Sequence, residues 1–145
     1  MTQDPREELK RIMIEAEKYK KQHETITSQA SLLEEAYLEM GSTIDGIENI
    51  SKAKEGDELL VPLGSGSYVR AGLSDAKKLI LGVGAGISIE ESFDKAIETL
   101  KMRREKISAE RNKMMKLADE FADKRNQLNS RYETLVREMQ QATPR

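Results

Sequence analysis

Few residues in this sequence have both the type and the spacing for chemistry. The nearest approach to a nucleotide fingerprint is Gly82-Val-Gly-Ala-Gly86, since clustered glycines let backbone amides come close to phosphate. No Lys-Ser/Thr follows it, and no acidic residue sits after a second parallel strand. The glycines therefore read as turn residues that supply positive φ. His23 is the single histidine and there is no cysteine. This excludes thiolate nucleophiles, disulfides and multi-His metal centres, and it leaves His23 as a polar residue that fixes helix register. The carboxylates Glu7/Glu8, Glu34/Glu35 and Asp119/Glu120 read as a solvated helix face without a pocket for acid–base work. Arg104, Arg111 and Arg125 could form a basic stripe for RNA. Glu105, Glu110 and Asp123 interleave with them, which favours a register role or long stems lying along an apolar seam with their heads in water. Asn49-Ile-Ser51 is a formal glycosylation acceptor without a secretory signal. The expectation is a protein that is not an enzyme and uses no cofactor and no metal.

The elements that carry these residues follow from composition. Charged residues make up 34% of the 145, aromatics only 4%, and hydrophobic residues 37%. Typical soluble domains are roughly 45–50% apolar. The shortfall argues for one domain, residues 1–145, built around a narrow seam between long helices. The 24 Lys+Arg and 26 Asp+Glu nearly cancel, so no strong field advertises nucleic acid or an anionic membrane. The start lacks an apolar signal core, and no run is long and apolar enough to span a bilayer. A soluble, cytoplasmic protein is expected.

Charge divides the chain in three. Residues 1–57 hold 8 basic and 13 acidic residues, 58–89 hold 3 and 2, and 90–145 hold 13 and 11. In the first flank Leu9, Ile12, Ala16, Tyr19, His23, Ile26, Ala30, Leu33, Tyr37, Met40, Ile44 and Ile47 alternate steps of three and four. The last flank repeats the pattern through Phe93, Ile97, Leu100, Arg104, Ile107, Arg111, Met114, Ala118, Phe121, Arg125, Leu128, Tyr132, Leu135 and Met139. This is the 3.5-residue period of a left-handed coiled coil. The two helices are placed at 6–51 and 90–141. Pro62 is the only proline between Pro5 and Pro144.

The middle, 58–89, holds six of the nine glycines and has a different period. Glu58–Leu63, Gly64-Ser-Gly66 and Ser67–Leu73 read as strand, turn, strand. Lys77–Val83, Gly84-Ala-Gly86 and Ile87–Ile89 read the same way. An isolated hairpin is marginal in water, and open strand edges invite pairing with another chain. Folding back puts the helices side by side and antiparallel, with the hairpins at one end. If Ile47 faces Phe93, Leu9 comes near residues 131–135 and the last ten or so residues overhang. The expected shape is a rod with a β-base and an apolar tip.

Glu58-Leu-Leu-Val-Pro-Leu-Gly-Ser-Gly-Ser-Tyr-Val69, Ile80-Leu-Gly-Val-Gly-Ala-Gly-Ile-Ser-Ile89 and the helix start Phe93-Asp-Lys-Ala-Ile-Glu98 resemble an alpha-class prefoldin subunit. The two tandem hairpins also resemble that class. The resemblance implies a hexamer of two alpha and four beta subunits, with a β-barrel base and coiled-coil tentacles. Their tips would hold unfolded proteins for a group II chaperonin without ATP.

Two surfaces carry this expectation. Leu9, Ile12, Met13, Ile14, Leu135, Val136 and Met139 widen the apolar stripe at the tip, where flexible methionines suit varied clients. Frayed helix ends that tolerate stray hydrophobes are the alternative. Leu59, Val61, Leu63, Val69, Leu73, Ile80, Val83, Ile87 and Ile89 supply strand edges and apolar faces for a second copy and for beta-type subunits. Two rival functions stand beside the chaperone: a coiled-coil tether that handles no clients, and an RNA-gripping arm. The acidic balance of the first flank argues against the second.

Overall fold

The computed structural model describes residues 4–143. Pro144 and the outermost ends of the 1–145 domain lie outside the described residues. The element order is α1 (Pro5–Ser51), β1 (Glu58–Gly64), β2 (Ser67–Gly72), β3 (Lys78–Gly84), β4 (Ile87–Ser92) and α2 (Phe93–Ala142). The chain forms two compact units, Met1–Glu35 with Ser108–Arg145, and Ala36–Ile107.

The helices start where local chemistry caps them. Asp4 Oδ1 accepts the Arg6 amide at 3.0 Å, and Pro5 takes the first helical position, where its missing N–H costs nothing. Ser92 Oγ accepts the Lys95 amide at 3.3 Å and starts α2 directly at the end of β4. The last strand thus runs to Ser92, and α2 begins three residues later than the sequence pattern placed it. Every heptad position named above, twelve on α1 and fourteen on α2, is buried or half-buried.

In the first unit the helices run antiparallel. Glu8 pairs with Arg131, the Tyr19 and Phe121 rings lie 6.1 Å apart, and Glu34 pairs with Arg111. The seam is closed by Ile12, Ala30, Ala118 and Leu135. Moving three residues back from Glu8 to Pro5 leads to the level of residue 134 on α2. The rest of α2 therefore continues past the start of α1.

In the second unit the core is Ile44, Leu81, Ala96 and Leu100, with Ile47, Leu79 and Ile97 packed around it. β3 turns Leu79 and Leu81 toward the helices, and Arg103 Nη1 donates to the Gly82 carbonyl at 3.2 Å. A short clasp orders the entry to the first hairpin. Gly56 N donates to Leu73 O at 2.7 Å, and Leu73 N to Asp57 O at 2.9 Å.

The two hairpins are one design used twice, at an offset of twenty residues. Glu58 faces Gly72 as Lys78 faces Ser92, and Gly64 faces Ser67 as Gly84 faces Ile87, each with a register shift just before the turn. Ser65 and Ala85 have φ of 49° and 52°, Gly66 and Gly86 of 76° and 74°. Positive φ at both central residues marks the primed turn whose twist matches the flanking strands. Each hairpin is a separate two-stranded antiparallel sheet.

Candidate functional site

The end of the first unit sorts the seven expected tip residues into three groups. Ile12 and Leu135 are 6% and 4% exposed and belong to the seam. Heptad geometry turns them into the facing helix, and Ile12 keeps only a small edge in the groove beside Met13. Leu9, Val136 and Met139 are half-buried and line a groove of about 300 Å³ with Gln140 and Thr143. Met13 and Ile14, just off the seam, stand 57% and 70% exposed. Two further grooves meet at this pair. One, of about 240 Å³, runs over Ile12, Met13, Ala16 and Tyr132 and is bounded by Glu17, Lys20, Arg125 and Asn129. The other, of about 640 Å³, lies along α1 and is lined by Met13, Ile14, Glu17, Lys18, Lys21 and Gln22.

The hairpins form the second surface. Val61, Leu63, Val69, Ile80, Val83, Ile87 and Ile89 are exposed, while Leu59 and Leu73 are half-buried. Sequence reasoning missed Leu60 and Tyr68, both exposed. The twenty-residue repeat was the available signal, because it equates Leu60 with Ile80. Covering any one of these large side chains fully would gain about 1.5–3 kcal/mol. Two-stranded sheets with apolar side chains on both faces are marginal when left uncovered. Beside the second hairpin, a largely apolar groove of about 710 Å³ is lined by Ile47, Ile50, Leu73, Leu79, Ile80 and Phe93 among others.

The residues weighed for chemistry fall elsewhere. Gly84-Ala-Gly86 forms a hairpin turn, while Gly82 lies in β3 opposite Ser88 without the positive φ expected of it, and a strand follows, not the helix N-terminus whose amides a phosphate would need. His23 is half-buried on the seam. Among the described residues no three of His, Cys, Asp or Glu gather in a metal-holding group. No helix among them is long and apolar enough to cross a membrane.

Two of the three seam arginines do not keep their heads in water, as stems along a seam would. Arg104 crosses to α1, with its guanidinium 3.9 Å from the centre of the Tyr37 ring and Nε donating to the Tyr37 carbonyl at 3.1 Å. Gly41 makes the space, since a Cβ there would lie 2.5 Å from Arg104 Nη2. Arg111 pairs with Glu34 across the seam, and its other nitrogen donates to Ser108 Oγ at 3.2 Å. Arg125 lines the groove at Met13. The Arg104 and Arg111 contacts join the two helices at fixed levels.

A family model described as Prefoldin subunit matches residues 19–143. Prefoldin subunit alpha of Methanothrix thermoacetophila is 34% identical over 112 residues, 77% of this chain and 73% of that protein. Prefoldin subunit alpha 1 of Methanocaldococcus jannaschii is 33% identical over 136 residues, 94% of this chain and 93% of that protein. A cryo-EM structure of filamentous PFD from Methanocaldococcus jannaschii matches with a TM-score of 0.71 at 21% identity. It covers 80% of this chain and 96% of that one, and it shares the fold.

Proposed function

The chain belongs to the prefoldin family of non-enzymatic chaperone subunits, alongside its alpha subunits, and from that premise we propose that it holds unfolded proteins at the exposed end of its first unit. Prefoldin alpha subunits assemble into oligomers. Here the assembly would join two copies of this chain to four single-hairpin beta-type subunits through the hairpin edges. It would work in the cytoplasm without ATP and pass clients to a group II chaperonin. There is no chemical step: apolar client segments rest on the tip, are shielded from one another, and leave when a competing surface takes them. Weak contact at each tip suffices, because several tips on one client make every further contact intramolecular.

The observation that carries this reading is the adjacent exposed pair Met13 and Ile14, with grooves on both sides. The test is light scattering from a denatured client diluted into ATP-free buffer with the assembled protein. Changing Met13→Ser and Ile14→Ser together should abolish suppression of aggregation while assembly persists. If the doubly substituted assembly suppresses aggregation as well as the original, the chain is a tether and the tip is not its client surface.

A further inference from the structure

Met13 and Ile14 stand in a basic setting. Lys20 and Arg125 bound the groove on one side of the pair, and Lys18 and Lys21 line the groove on the other. Glu17 lines both grooves and is the single carboxylate in either lining. None of the four cations makes an ion pair among the described residues, whereas Arg111, Arg131 and Lys101 each take a glutamate of the facing helix. The groove linings carry four cations and one carboxylate, and within one helical turn stand the exposed Lys10 and Arg11 and the exposed Glu15 and Glu24, so this surface remains basic on a chain whose formal net charge is −2. Long cationic stems can also lie against apolar material while their heads reach outward. We propose that the surface selects unfolded segments in which apolar residues alternate with Asp or Glu. The apolar side chains would rest on Met13 and Ile14, and the carboxylates would meet Lys18, Lys20, Lys21 and Arg125.

This rests on the reading of the tip as a client surface and adds its charge preference. Basic client segments would meet like charge, which suppresses wrong partners more strongly than matching charge raises affinity. An RNA would find the cations, but the one ring lining these grooves, Tyr132, is half-buried on the seam, and stacking is where single strands gain much of their affinity.

The test uses the full-length protein in its assembly and two labelled unfolded peptides, with the same apolar residues spaced by Glu in one and by Lys in the other. Anisotropy should show the acidic peptide binding about tenfold more tightly at low salt. The margin should shrink severalfold in 0.5 M salt, as expected for exposed charges separated by a screening length. Replacing Lys18, Lys20 and Lys21 together by Glu should reverse the order of the two peptides. Equal binding of both peptides at low salt would overturn the preference and leave the client surface standing. Binding of neither would overturn both. Capture of phosphatidylserine vesicles without any preference between the peptides would assign the cations to a lipid surface and overturn the proposal.

Discussion

Gly41→Ala and Gly46→Ala make the same chemical change in the same helix, and the structure expects opposite signs. Both glycines lie inside α1, where replacing Gly by Ala stabilises by about 0.8–1 kcal/mol through backbone entropy. At Gly46 a Cβ would meet nothing within 4 Å, so the full gain should appear. At Gly41 it would lie 2.5 Å from Arg104 Nη2 and 2.9 Å from Cζ, so the guanidinium, the end of a flexible side chain, must shift from its seat on Tyr37. That forfeits a cation–π contact worth about 0.5–1 kcal/mol. It also forfeits a hydrogen bond from a charged donor, worth about 1.5–3 kcal/mol. If the guanidinium loses both contacts, the net expectation is a loss of about 1–3 kcal/mol, which for a chain of this size lowers the thermal midpoint by several degrees. Urea unfolding followed by helical circular dichroism on the full-length protein reads both variants. In an Arg104→Ala background, Gly41→Ala should change sign and stabilise as Gly46→Ala does, the coupling that a double-mutant cycle isolates. If Gly41→Ala alone stabilises as much as Gly46→Ala, Arg104 is not held in that notch and the reasoning fails.

Leu135→Ala should cost about 2–3 kcal/mol of stability by opening a cavity in the seam. The exposed Met13→Ser and Ile14→Ser changes should leave the unfolding midpoint nearly unchanged, so a stability scan separates seam from surface. In the second turn, Ala85→Gly should stabilise by a few tenths of a kcal/mol by relieving left-handed strain, net of glycine's extra entropy. Gly84→Val, at φ 104°, should weaken the hairpin by more than 1 kcal/mol and lower assembly, read by sedimentation.

The helices were legible because a thin stripe in a highly charged chain leaves little choice of face. The stagger was legible too, since placing Leu9 near 131–135 agrees with the Glu8–Arg131 pair. The seat of Arg104 was not, because it needs three residues on two helices. Tyr37 offers the ring and the carbonyl, Gly41 one turn later offers the space, and the arginine comes from far along the chain. Nor was the inward face of the hairpins. Leu59-Leu60 and Leu79-Ile80-Leu81 are apolar at consecutive positions, so period-two alternation is silent there. Only the packing of Leu81 on Ile44 and Leu100 shows that Ile80, 72% exposed, faces away. At the tip, Ile12 and Ile14 are equally apolar in sequence, and the two-residue rotation between them decides that one is seam and the other surface.

The repetition of one hairpin at a spacing of twenty residues makes the β region a matter of valence. Each two-stranded sheet has two open edges, so the chain offers four places at which backbone amides and carbonyls can join another strand. Joining Gly64 directly to Ala85 would keep the turn angles and the capped entry into α2, but leave only β1 paired with β4 and two edges. A subunit with four edges can link neighbours on two sheets, and one with two edges on only one. The number of strand edges that this chain offers to neighbours is thus set by a twenty-residue insertion, separately from the two helices.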